Sequence, residues 1–256
     1  MEALTVIKVG GGVVENPETL NALLCDFSAL PGRKVLVHGG GRSATRIAAS
    51  LGIESQMVNG RRVTDAQMLD VVTMVYGGLV NKTVVAGLQA CGVNALGLTG
   101  ADMNIIFSHK RITKDIDYGW VGDVDKVDGS MLSELIEKGV VPVVAPLTHD
   151  GKGHMLNTNA DTIAGEVACA LAPYYDVTLT FCFEKKGVLR DAEDEDSVIP
   201  HITEQVFKQY VSEGVIAGGM IPKLENAFQS ITKGVKWVII TRSDDIDGSH
   251  GTLVEG

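Results

Sequence analysis

Six short runs of aliphatic and β-branched residues, at 4–9, 34–38, 94–98, 140–144, 177–182 and 236–240, are interleaved with helical periodicities at 17–29, 43–51, 130–138, 160–171, 203–213 and 221–233. Strands that alternate with helices in this way predict an α/β fold around a central, mainly parallel open sheet. Several of the runs lack an alternating polar face, as strands covered on both sides should. The alternation fails between residues 101 and 129, where Asp, Gly, Tyr and Trp appear among short alternating pieces. That stretch reads as a hairpin excursion over the sheet, of the kind that forms a lid. The acidic run at 191–196 reads as a solvated loop tip. No low-complexity linker interrupts the chain, which fits two lobes on one continuous sheet.

Residues 66–90 stand apart. Met68, Leu69, Val71, Val72, Met74, Val75, Leu79, Val80, Val84, Val85 and Leu88 cover every face of a helix, and a helix that is apolar all round must be buried all round. It is either a central core helix or one whose second face packs against another subunit. Gly77-Gly78 marks a place where it can kink. With 256 residues and 45% hydrophobic content the chain is long and apolar enough for a full core, and disorder is excluded. The longest uncharged apolar stretches fall short of the ~18 residues that span a bilayer. Met1-Glu2 and Lys8 do not fit a signal peptide, so a cytoplasmic protein is expected, with no membrane partner. The widely spaced Cys25, Cys91, Cys169 and Cys182 read as reduced, buried thiols, and no metal site is expected. A net charge of −10 argues against nucleic-acid binding. Any anionic ligand must then be held by a local cluster of donors.

Two strands end in triple glycine, Lys8-Val9-Gly10-Gly11-Gly12 and His38-Gly39-Gly40-Gly41. Glycine there lets backbone amides approach a ligand, and a following helix N-terminus adds positive potential. Each is either a tight strand-to-helix turn or an anion cradle, and Gly100-Ala101-Asp102 offers a third such turn. The match of residues 39–44 to G-x-G-x-x-A lacks the second strand and acid of a dinucleotide fold. No Walker-type phosphate loop is present. Lys8 interrupts an apolar strand, as a snorkelling edge lysine or as a cation beside the first glycine turn. Lys223, after Gly218-Gly219-Met220-Ile221-Pro222, falls in a first helical turn, where the dipole disfavours a cation unless a polyphosphate binds there. Asp161 follows Asn157-Thr158-Asn159-Ala160; it either caps its helix or orients the two lysines. Arg62, beside Arg61, has the geometry to grip a carboxylate with two parallel bonds.

These strings carry a resemblance that covers nearly the whole chain. It resembles the amino acid kinase family and, within it, the N-acetylglutamate kinases of arginine biosynthesis, through Ile7-Lys8-Val9-Gly10-Gly11, Val37-His38-Gly39-Gly40-Gly41, Gly60-Arg61-Arg62-Val63-Thr64-Asp65, Val80-Asn81-Lys82, Gly119-Trp120-Val121-Gly122-Asp123-Val124, Asn157-Thr158-Asn159-Ala160-Asp161-Thr162 and Gly218-Gly219-Met220-Ile221-Pro222-Lys223. The resemblance implies a three-layer αβα sandwich that transfers the γ-phosphoryl of ATP, with Mg2+ on its phosphates, to the side-chain carboxylate of an N-acyl-L-glutamate, N-acetyl-L-glutamate foremost. Residues 1–172 would form an N-terminal lobe for the acceptor and for dimerisation, and residues 173–256 an ATP lobe. Lys8 and Lys223 would stabilise the transferring phosphoryl, with Asp161 holding both. Gly40, Gly41, Arg62 and Asn157 would bind the acceptor. Gly11, Glu184, Lys185, Lys186, Gly187, Val188, Leu189, Val215, Ile216 and Ala217 would form the ATP site.

Two departures stand out. Glu184-Lys185-Lys186-Gly187 replaces the family's usual Asp before the nucleotide-site glycine, and Ala101 stands where a lysine is usual. The chain also begins close to its first strand, without the N-terminal helical extension that accompanies hexamers and arginine inhibition in this family. An arginine-insensitive homodimer through Ala66–Ala90 is therefore expected. The alternatives are a sibling kinase for N-succinylglutamate, whose extra carboxylate needs a cation from Arg61 or Arg42, and a non-catalytic regulator of the same fold.

Overall fold

The computed structural model describes residues 1–58 and 60–256. Its main sheet has eight strands in the order His201–Thr203, Thr252–Glu255, Trp237–Arg242, Asp176–Phe183, Ala3–Val9, Arg33–His38, Val141–Val144 and Ala95–Leu98. The last six run parallel, and Thr252–Glu255 turns antiparallel against Trp237–Arg242. The six expected strands are all here, with ends that move by two residues at most. His201–Thr203 and Thr252–Glu255 are additions of three and four residues.

Both faces of this sheet are covered, as its unbroken apolar strands require. In Ala3–Val9, Leu4 and Val6 enter one core and Ile7 and Val9 the other. The first core takes helices Gly129–Glu137, Ala160–Leu171 and Met220–Thr232; the second takes Pro17–Ala29, Gly41–Ser50 and the run 66–90. The result is the expected αβα sandwich. Local chemistry sets the helix ends. Asn16 accepts from the amides of Glu18 and Thr19 while Pro17 opens the first turn.

The stretch 101–129 contains the expected hairpin, Ile106–Lys110 against Gly122–Val127. It does not stand alone: Leu147–His149 and Met155–Asn157 complete a four-stranded sheet.

Two expectations need correction. Ala66–Ala90 is long and apolar enough to cross a bilayer by length and composition, although Asp70 and Lys82 interrupt it. It lies instead against the core through Met68, Val71, Val72, Val75, Val84 and Leu88. It is not buried all round, because Met74 and Leu79 are more than half exposed. Around Gly77-Gly78 it widens into a π-helical segment, Thr73–Val80, which absorbs the irregularity within the helix. The thiols are not uniformly buried: Cys25 is exposed and its Sγ lies 3.8 Å from that of Cys91.

Candidate active site

Three neighbouring strands end in register. Val9 pairs with His38 on one side and Cys182 on the other. The turns that follow therefore leave the sheet side by side, at the carboxyl ends where open α/β sheets bind ligands. Glycine is a packing requirement here. A Cβ on Gly39 would stand 3.1 Å from the Gly11 nitrogen, and one on Gly40 would stand 2.8 Å from Tyr76 Cδ1.

On one side of this junction is a cavity of about 170 Å³ that includes Gly40, Gly41, Arg62, Tyr76, Asn157 and Asn159 in its lining. Arg62 is only 7% exposed. It donates to Ser55 Oγ (2.6 Å), Gly41 O (2.8 Å) and Thr45 Oγ1 (2.9 Å). All three acceptors are neutral. A buried guanidinium without a carboxylate is costly, so this side of the junction is built to receive an anion. Asn157 donates to Thr64 Oγ1 at 2.9 Å, fixing its amide. Beneath the glycines His38 is fully buried. Its Nδ1 donates to Gly39 O at 2.7 Å, and Nε2 accepts from Asn81 at 3.1 Å. Burial holds its pKa down at about 4, so the ring is neutral near pH 7.

At the junction itself Lys8 Nζ lies 2.7 Å from Asp161 Oδ1, with side chains 9% and 19% exposed. Asp161 does not cap its helix. Asn159 does, accepting from the amides of Asp161 and Thr162 at 2.9 and 3.1 Å, and this leaves the Asp161 carboxylate to Lys8. Distance makes the pair an ion contact, although its angle is too bent for a hydrogen bond to Oδ1. Lys223 arrives from the first turn of Met220–Thr232 and sits 3.2 Å from the centroid of the Phe183 ring; Lys8 Nζ is 5.2 Å from the same centroid. The two ammonium groups thus converge on one aromatic ring. Burial lowers the Lys223 pKa, with Asp161 pulling it up and Lys8 pushing it down.

On the far side, residues 10–12 face Phe183, Glu184, Lys185, Gly187, Met220 and Lys223 across a cleft of about 440 Å³. It is continuous, through Lys185, Gly187 and Met220, with an apolar depression formed by Val188, Leu189, Val215, Ile216 and Ala217. Polar at one end and apolar at the other, this groove suits a nucleotide. Lys186 turns away from it: its Nζ pairs with Asp196 Oδ1 at 2.7 Å, beside Arg242 and Asp244. The third turn, Gly100-Ala101-Asp102, also stands apart. Asp102 accepts from Thr99, and Gly100 joins the sheet edge at Leu147.

The profile of the amino acid kinase family matches residues 3–242. The chain belongs to that family. It is 69% identical over 254 residues to the acetylglutamate kinase of Bacteroides thetaiotaomicron, with 99% of each chain covered. Against the acetylglutamate kinase of Phocaeicola vulgatus it is 68% identical over 254 residues, again covering 99% of each. Among solved structures, smu.665 from Streptococcus mutans UA159 superposes with a TM-score of 0.79 at 30% identity, covering 98% of both chains.

Read as an amino acid kinase, the chain has its three charged candidates, Lys8, Asp161 and Lys223, at one junction. Sequence reading missed Tyr76 and Phe183, which look like core residues. The N-x-N-A-D string held the signal for Asn159 as a cap. Of the two arginines considered for an extra carboxylate, Arg61 lines the cavity beside Arg62 and Arg42 lines the cleft beside residues 10–12.

Proposed function

We propose that this chain transfers the γ-phosphoryl of ATP to the side-chain carboxylate of N-acetyl-L-glutamate, giving N-acetyl-L-glutamyl 5-phosphate for arginine biosynthesis. The observation that carries the reading is the pair of ammonium groups, Lys8 and Lys223, at the junction of an anion-receiving cavity and a nucleotide-shaped groove. Near-70% identity to acetylglutamate kinases along the whole chain supports the acceptor.

The chemistry asks for no general base. A free glutamate side chain has a pKa of ~4.3 and is already ionised. A carboxylate oxygen attacks the γ-phosphorus, the bond to the ADP oxygen breaks, and no proton moves. The barrier lies in bringing two anions together and stabilising charge on the equatorial oxygens. Lys8 and Lys223 meet that charge from two sides, and Asp161 keeps Lys8 in place. Gly11 adds an amide from the first glycine turn. Gly40, Gly41, Arg62 and Asn157 orient the acceptor, with Arg62 as the partner of its α-carboxylate. Glu184, Lys185, Gly187, Val188, Leu189, Val215, Ile216 and Ala217 surround the nucleotide. Magnesium carried by the ATP phosphates would shield their charge. In this division residues 1–172 present the acceptor and residues 173–256 the nucleotide.

Arg61 beside Arg62 favours a second reading, in which a third carboxylate is accommodated and N-succinylglutamate is the acceptor. The purified protein, given Mg-ATP and a panel of N-acetylglutamate, N-succinylglutamate, glutamate, aspartate and carbamate, decides between them when acyl phosphate is trapped with hydroxylamine. N-acetylglutamate should give the most hydroxamate. Higher turnover with N-succinylglutamate replaces the first reading with the second, and no product from any acceptor rejects both.

The exposed face of Ala66–Ala90, with Met74 and Leu79, is the proposed homodimer contact. Sedimentation should show a dimer that Met74→Glu with Leu79→Glu converts to monomer; an unchanged sedimentation coefficient removes this contact.

A further inference from the structure

Arg42 is a cation at the nucleotide cleft with no part in the chemistry above. It sits in the first turn of Gly41–Ser50, where the helix dipole disfavours positive charge. Its guanidinium lines the cleft shared by residues 10–12, Glu184 and Lys223. Arg42 Nη2 donates to Glu184 Oε1 at 2.5 Å. A Cβ built on Gly12 would come within 3.0 Å of Arg42 Nη1 and 2.9 Å of Glu184 Oε1. Both charged heads therefore rest on the first glycine turn. That is where the phosphates belong if the kinase reading holds, and the inference rests on that reading.

The pair is poorly suited to a purely structural role. Its side chains are 63% and 70% exposed, and exposed ion pairs contribute little to stability. It is well suited to exchange. A polyphosphate offers several anionic oxygens in the geometry that a guanidinium fork matches. Glu184, by contrast, would repel phosphate if nothing covered its charge. We infer that Arg42 is a nucleotide-binding residue held ready by Glu184: when ATP enters, the guanidinium leaves the carboxylate and takes phosphate oxygens. Glu184 is a positioning residue that competes for Arg42 and keeps it over the turn.

The two variants that break this pair should then act in opposite directions. Calorimetric titration of the full chain measures affinity for Mg-ATP, Mg-ADP and adenosine. Arg42→Ala should weaken both phosphorylated ligands about tenfold or more and change adenosine less than twofold. Arg42→Lys should recover part of the loss. Glu184→Gln should bind Mg-ATP a few-fold more tightly, because the competitor is gone. In turnover, the Arg42 loss should appear in the KM for ATP and leave the KM for the acceptor alone. A strap that only braces the fold would shift Arg42→Ala and Glu184→Gln the same way, and that result overturns the inference. So does Mg-ATP affinity within twofold of wild type in Arg42→Ala. Should Arg42→Ala fail to fold, wild-type affinity in both Arg42→Lys and Glu184→Gln overturns it equally. Wild-type protein that binds no Mg-ATP removes the kinase reading itself, whereas wild-type binding with unaltered variants removes only the role of Arg42.

Discussion

Arg62 and Arg42 flank the second glycine turn and are held in opposite ways. Arg62 is nearly buried and tied by three hydrogen bonds to neutral partners. Arg42 is largely exposed and tied to one exposed carboxylate. The first arrangement is finished before any ligand arrives, so little ordering remains to oppose binding. The second must rearrange when a ligand enters. On the proposed assignment, acceptor selection would rest on a rigid, desolvated receptor, and the nucleotide side on groups free to regroup around phosphates.

The largest effects are expected where the two sides meet. Lys8→Arg or Lys223→Ala should lower kcat by about 10² or more while melting changes little; near-normal turnover in either would separate the junction from the chemistry. Next comes the rigid side alone. Arg62→Met should raise the acceptor KM by tens of fold and leave Mg-ATP affinity unaltered in calorimetry. A matching loss on both sides would show that the halves are not independent.

His38 tests how finished the acceptor side is. Burial depresses its folded pKa from 6.5 to about 4. The unfolded chain therefore takes up this proton first as pH falls, and stability should decline from pH 6.5 towards pH 4, by about 3 kcal/mol in all. Urea unfolding at stepped pH measures this, and His38→Gln should flatten the slope. The smallest effect is expected from titration of Lys223, whose pKa burial lowers from 10.5. As the proposed role of Lys223 needs its charge, kcat should fall on the alkaline side before an ordinary lysine would titrate, and Lys223→Arg should shift that limb upward.

Long elements were legible in the sequence because their periodicity is set by their own residues. Pro17–Ala29 and Ala160–Leu171 appear with the expected ends. The three-residue strands Leu147–His149, Met155–Asn157 and His201–Thr203 escaped because they carry too few residues to show a period. Helix Gly11–Glu15 was hidden by glycines that read as a turn. Lys8, Asp161 and Lys223 were visible as charges in places that disfavour them. Phe183 was not, because an aromatic ring at a strand end looks the same whether it packs against a core or under two ammonium groups. The Arg42–Glu184 pair joins residues 142 positions apart, a separation at which no local pattern speaks.

Strand order carries a consequence for how such a protein can change. Adjacent strands lie roughly 5 Å apart, so the turns after Arg33–His38 and Asp176–Phe183 bracket Lys8 within a span of roughly 10 Å. On the proposed assignment, donor and recipient sit on the two flanks, and the shared middle strand acts as a fixed ruler between them. Substitutions confined to one flank can retune which small acid is modified while the energy-supplying flank stays as it is.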